Sequence, residues 1–415
     1  MADTSVAADP QRIFWVDRSV HRNWLMTQGQ HLLEHYRASK VAGGFGELDD
    51  DGQLVDNSAQ TIVTARMVHC YSVASLLGVP GAAALADHGV EALLDGPLRD
   101  KEHDGWFEGE DPGRKQAYVH AFVALASASA VMALRPRAEE LREAIGSVID
   151  KRFWLADEEV MAPSFSANWH DCENYRGANA NMHSTEAFLA LADATGDNLW
   201  LERALAVAKR FCHVIARANN YMLPEHFDNN WQMLPDYNRD NPTDDLRPWG
   251  MTPGHFAEWS GLLLKIEAAL AARGCDIPDW FFEDAVGLFD NALKCGWSVD
   301  GAPGMVYTIG WDKAVSVANR PWWVQAETAN TAYMLLRRTK HADFDQTYRM
   351  VWDYIADILI DSNNGGWRPE VDCKGNRSRE VYPLRNDLYH AFQATLIPLL
   401  PVGSSLADSV RRHSV

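Results

Sequence analysis

The chain has 415 residues, 47% hydrophobic and 23% charged, the balance of a globular protein and not of a disordered one. Its 57 acidic and 38 basic residues leave a formal charge of −19, which disfavours nucleic-acid and anionic-membrane partners. No apolar run reaches the ~18 residues of a membrane span, and the start MADTSVAADPQRIFW lacks a signal-peptide core; with six scattered cysteines and no CxxC pair, a cytoplasmic protein without a disulfide framework is expected.

In chain order, a first helix is predicted over about 11–38. Paired helical segments follow at 61–78 with 82–95, 116–134 with 137–153, and 180–195 with 198–218. Two more pairs are 253–273 with 279–295 and 323–339 with 342–361. A last helix, about 386–400, can pair with the first. Gly and Pro punctuate these segments, as in Gly78-Val79-Pro80-Gly81 after the second helix. The connections carry strand-like pieces at 103–108, 303–311 and 365–372, and two long irregular segments, 154–179 and 219–252. Six hairpins can close into a ring in which every second helix lines an inner barrel. The expected fold is therefore all-α, an (α/α)6 barrel of about twelve helices with short β-hairpins in the long loops, over 1–415 as one domain.

Polar groups interrupt the faces that should be apolar. Arg66 heads the line Arg66, Cys70, Val73, Leu77. Asn179, His183 and Glu186 share a face; His255 and Glu258 follow the helix start Thr252-Pro253-Gly254. Glu327 follows Trp322 and Trp323, and Asn386, Asp387 and His390 open the last helix. One buried histidine is ordinarily structural. Five helices carrying such groups near their N-terminal ends point instead to one pocket at one barrel mouth. Sixteen tryptophans suit both core packing and the faces of sugars. Gly43-Gly44-Phe45-Gly46 is no dinucleotide fingerprint, no Walker loop occurs, and the His-x-x-Glu pairs at 183–186 and 255–258 lack the companions of a di-iron bundle site.

The stretches TARMVHCYSVA (64–74), YRGANANMHSTEAFLAL (175–191), PEHFDNNWQMLPDYNRDNP (224–242), TPGHFAEW (252–259), GMVYTIGWD (304–312) and DLYHAFQ (387–393) span most of the chain. They resemble the N-acylglucosamine 2-epimerase superfamily, most nearly its bacterial aldose–ketose isomerase branch. The resemblance implies an (α/α)6 barrel that interconverts an aldose and its ketose through a cis-enediol, with no metal and no cofactor. It implies a monosaccharide as the small-molecule partner and leaves a homo-oligomer open. Carried over motif by motif, His255 and His390 would do the acid/base work. Arg66, Tyr118, Asn179, His183, Glu258, Trp322 and Glu327 would line the sugar site, together with Arg247 and Asn386. Sulfosugar isomerases in this alignment carry an Arg where this chain has Asp245, so an unmodified sugar is expected, D-mannose to D-fructose, with D-lyxose as a side substrate. The alternatives are a sulfoquinovose isomerase, a sugar 2-epimerase and, more distantly, a glycoside hydrolase on the same barrel, for which Glu258 and Glu327 would be the carboxylate pair.

Overall fold

In the computed structural model, which describes residues 13–385 and 388–413, the helices are of two kinds. Helices α2 (Thr61–Leu76), α4 (Ala117–Met132), α6 (Ala178–Thr195), α8 (Pro253–Ala272), α10 (Trp322–Thr339) and α12 (Tyr389–Leu396) are buried around most of their circumference. Small and apolar residues at most positions permit this, as in the α4 run AYVHAFVALASASAVM. Helices α1 (Ser19–His35), α3 (Ala82–Asp95), α5 (Ala138–Val148), α7 (Asn198–Ala208), α9 (Trp280–Gly296) and α11 (Ala342–Tyr354) bury one face only. Each packs on an inner helix: α1 on α12, α3 on α2, α5 on α4, α7 on α6, α9 on α8 and α11 on α10.

The inner helices touch in the order α2, α4, α6, α8, α10, α12 and back to α2, so the ring closes. This is the (α/α)6 barrel expected from the hairpin count. The boundaries differ in instructive places. α5, α7 and α11 run on as π-helical turns through Phe153, Ala216 and Leu359. The last inner helix begins at Tyr389 and has eight residues. A thirteenth helix, α13 (Leu406–Arg412), was not expected; it packs on α2, α4 and α6 at their C-terminal side. There the Ser404 and Ser405 hydroxyls donate to Asp193 at 2.5 and 2.7 Å.

The short strands form a collar around the opposite end. The segment entering each inner helix pairs antiparallel with the segment leading to the next. The pairs are Gln60 with Gly109, Lys115–Gln116 with Ser164–Phe165, Arg176–Gly177 with His226–Phe227, Met251 with Ile309, and Arg320–Pro321 with Glu370–Val371. Arg385 with Leu48 completes the circle. The strand-like pieces at 303–311 and 365–372 supply members of this collar, whereas 103–108 forms a single bridge, Trp106 to Arg99. The collar also caps helices that have no side-chain cap: the first N–H groups of α2, α4, α6 and α10 donate to Glu108, Pro163, Glu225 and Pro369 carbonyls. α8 begins with Pro253, which has no N–H to satisfy.

Candidate active site

Because the inner helices run parallel, their N-terminal turns meet at one mouth, where their dipoles favour negative charge. A cavity of about 140 Å3 opens there. Its wall includes Arg66 from α2, Tyr118 from α4, Asn179 and His183 from α6, His255 and Glu258 from α8, Trp322 and Trp323 from α10, and His390 from α12. Eight of the residues expected from sequence are thus brought together. Gly254 lets Trp323 come close: a Cβ there would stand 2.8 Å from the indole.

Two histidine–glutamate pairs face this cavity. His390 Nδ1 lies 2.8 Å from Glu327 Oε1, and His255 Nδ1 lies 2.9 Å from Glu225 Oε1. A carboxylate only accepts, so Nδ1 carries the proton toward its glutamate in each ring, and in the neutral tautomer Nε2 holds the lone pair. Both rings lie against the Trp323 indole, at centroid distances of 5.0 Å for His255 and 6.0 Å for His390. The other Glu327 oxygen accepts from Asn330 at 3.3 Å, so both its oxygens are engaged. Glu327 therefore stands behind His390 and does not reach the cavity wall.

The remaining charges are arranged around these pairs. The Arg66 guanidinium lies 4.0 Å from the Phe122 centroid and donates to the Tyr118 hydroxyl at 2.9 Å. Burial, with Arg66 and the other two histidines, pushes the His183 imidazole well below its ordinary range, so it is neutral near pH 7. Burial, with the Glu327 and Glu186 carboxylates, pushes the Glu258 carboxyl well above its ordinary range, which favours its neutral form. Asn179 Oδ1, His183 Nδ1 and Glu258 Oε2 are buried and have no hydrogen-bond partner in the protein. Each such atom costs about 1–3 kcal/mol unless something else satisfies it, which suits a ligand rich in hydroxyls. Glu258, Glu327 and His390 bring potential ligand atoms within 4.8 Å of one another. Within this cluster His390 Nδ1 is given to Glu327 Oε1 at 2.8 Å, and Asn330 donates to the other Glu327 oxygen at 3.3 Å.

The outer wall is acidic. Glu47, Glu108 and Asp245 line it, and burial together with the Asp244 and Glu108 carboxylates pushes the Asp245 carboxyl up to about 6. The segment carrying Asp245 is pinned over the mouth. Asn179 donates to the Leu246 carbonyl at 2.9 Å, and the Tyr307 and Tyr382 hydroxyls donate to the Asp244 and Asp245 carbonyls at 2.8 and 3.1 Å. Arg247 departs from expectation. It turns away from the cavity, pairs with Glu173 at 2.7 Å and lies 4.2 Å over the Tyr175 ring, where a carboxylate and an aromatic face outcompete the mouth. Asn386 lies outside the described residues.

Sequence reasoning missed Glu225. It sits beside His226 in PEHF, in a loop where no helical period marks an inward face. His226 itself is structural, held between the Tyr175 hydroxyl at 2.7 Å and the Pro248 carbonyl at 2.8 Å. Replacing Glu225 by Leu leaves His255 without its Nδ1 partner. A loss of about 10²-fold in kcat is expected, with partial recovery in Glu225→Gln, which can still accept. Steady-state kinetics on both proteins check this.

The family model for N-acylglucosamine 2-epimerase matches residues 43–394. A protein of Pseudomonas cannabina pv. alisalensis named D-mannose isomerase is 50% identical over 95% of this chain and 97% of its own. One of Thermobifida fusca with the same name is 44% identical over 95% and 98%. A crystal structure of a D-mannose isomerase superposes with a TM-score of 0.83 at 27% identity, covering 91% of this chain and 97% of that one.

Proposed function

The chain belongs to the N-acylglucosamine 2-epimerase family and is a sugar isomerase, and from that premise we propose that it interconverts D-mannose and D-fructose through a cis-enediol. The observation that carries this reading is the pair of histidines, each with Nδ1 on a glutamate and its ring against one indole, at a cavity whose buried polar atoms await hydroxyls. Aldose–ketose isomerisation needs the ring opened, a proton moved between C2 and C1, and the developing oxyanion stabilised. His390 Nε2 takes the C2 proton, which exchanges with solvent while it is held on the imidazole, and a proton is then delivered from the same ring to C1. His255 assists ring opening and moves the proton between O1 and O2. Arg66 and the converging helix N-termini stabilise the enediolate. Neutral Glu258 donates to a sugar oxygen, and neutral His183 with Asn179 holds the hydroxyls.

The chemistry runs on protein groups without a bound metal. D-Lyxose, which presents the same C1–C2 arrangement with one carbon fewer, is a side substrate. The hydrolase alternative is disfavoured because both Glu327 oxygens are already engaged by His390 and Asn330. The test is incubation of chelator-treated protein with D-mannose in heavy water, followed by NMR. Fructose bearing deuterium at C1 supports the reading; glucose as the main early product would replace it with 2-epimerisation, and no conversion would sink it.

The acidic wall bears on substrate choice. Glu47, Glu108 and Asp245 repel an anionic group on the far end of the sugar, so mannose 6-phosphate and sulfoquinovose are expected to be refused at pH 7. With the Asp245 carboxyl at about 6, its charge is present above that pH and lost below it. Asp245→Asn should therefore weaken the discrimination at pH 7.5 more than at pH 5. Competition of the two anionic sugars against mannose, at both pH values, measures it.

A further inference from the structure

Beneath the cavity the barrel interior carries a second polar layer. On α8, Lys265 lies seven residues beyond Glu258 and so on nearly the same face. Its ammonium stands 3.1 Å from Glu186 Oε1 on α6, with both side chains about nine-tenths buried. The other Glu186 oxygen accepts from the Tyr389 hydroxyl. α12 and α6 are opposite one another in the ring, so this bond spans the barrel axis. The Tyr389 ring in turn contacts His390, its chain neighbour, at 4.5 Å, and the Arg66 guanidinium stands 5.1 Å from its centroid. His69 on α2 packs on the same ring at 5.8 Å and is held by Ser129 on α4 at 2.7 Å. Although burial opposes both, each of the pair keeps the other ionised: Lys265 and the Tyr389 hydroxyl hold Glu186 below its ordinary range, and Glu186 holds Lys265 above its own.

The geometry points to Lys265 as a positioning residue for the reaction: through Glu186 it fixes the Tyr389 hydroxyl, and the Tyr389 ring sets where His390 and Arg66 stand. Neither Lys265 nor Glu186 borders the cavity, so neither acts on the sugar directly. A buried ion pair can often be exchanged for apolar groups without loss of stability, so stability alone does not explain it. A cross-strut beneath the reacting groups does: α12 has only eight residues, and Tyr389 and His390 are its first two. A displacement of about 1 Å at a reacting group is enough to cost on the order of 10²-fold in rate.

The inference rests on the proposed isomerase reading, and the test separates the two. The variant is Lys265→Met with Glu186→Leu, which removes both buried charges together and so avoids the misfolding that either single change invites. The expected result is a melting temperature near that of the unaltered protein, kcat for mannose lowered about 10-fold or more, and KM within about twofold. The isotope effect on kcat with 2-deuterated mannose should rise, because proton transfer has become slower than the other steps. Tyr389→Phe should reproduce the kcat loss, and Lys265→Arg should recover part of it. A folded double variant with unaltered kcat and isotope effect overturns the inference and leaves the isomerase reading standing. Should the unaltered protein not convert mannose, the proton NMR signal of His390 Nδ1–H, assigned by its loss in His390→Gln, decides instead. A changed position in the double variant supports the strut, and an unchanged one overturns it.

Discussion

Turnover of mannose by a His390→Gln protein is expected to fall by about 10²- to 10⁴-fold, the range that a positioned general base contributes. Glutamine keeps a similar volume and can still bond Glu327, so the fold should survive and circular dichroism should be unchanged. In the proposed mechanism the ring nitrogen that takes the C2 proton is gone, however, and deuterium uptake at C1 should vanish with turnover. His255→Gln should lose a comparable factor by a different route. Its histidine also has Nδ1 on a glutamate, at 2.9 Å, but the task proposed for it is at the oxygens. Slow residual turnover by His255→Gln should therefore still carry solvent deuterium into the product. Near-normal turnover by either folded variant removes that histidine from the mechanism.

Replacing Arg66 by Met should lower kcat about 10²- to 10³-fold, the size of effect seen when a preorganised oxyanion donor is lost. Arg66 is buried, with its guanidinium over Phe122 at 4.0 Å and bonded to the Tyr118 hydroxyl. The hydroxyl and the aromatic faces fix its plane before substrate arrives, so little reorganisation is needed as charge develops. Arg66→Lys keeps the charge but loses the plane and the fork of donors, and should recover less than a tenth of the lost rate. KM should move less than kcat, because the interaction strengthens only as the enediolate forms. Kinetics and thermal unfolding of both variants together decide the matter. A folded Arg66→Met protein with kcat within threefold of the unaltered one would assign enediolate stabilisation to other groups.

The barrel was legible in the sequence because its inner helices are apolar nearly all round and are punctuated by Gly and Pro, so helical period and stops agree. The inward-facing polar groups that converge on the cavity were legible for the same reason. On helices of that kind Arg66, His183, His255, Glu258 and His390 are conspicuous, and parallel packing brings their ends together. What escaped lies where period has no meaning. Glu225 and Tyr382 reach the site from irregular segments, and only the collar brings them there. Arg247 misled because its motif names a residue and not a direction, and Glu173 turned it away from the cavity. α13 has seven residues, too short for a period to emerge, and is held by what Ser404 and Ser405 find at Asp193.

The closed collar also sets the order in which this enzyme can come into being. A ribosome releases Arg66 early and His390 only 324 residues later (390 − 66), which at about 5–20 residues per second is some tens of seconds. Throughout that interval the growing chain is an open arc. Its advancing inner helix shows an apolar flank, and its last collar segment lacks a partner. The seam is then sealed by contacts of very long range: Arg385 meets Leu48, and the Asp345 carboxylate receives the Trp15 N–H across 330 positions. Loop closure over such distances is slow compared with hairpin formation. Nascent chains stalled before α12 should therefore engage chaperones and resist protease poorly, and protection should appear abruptly, together with activity, once the last segment clears the exit tunnel.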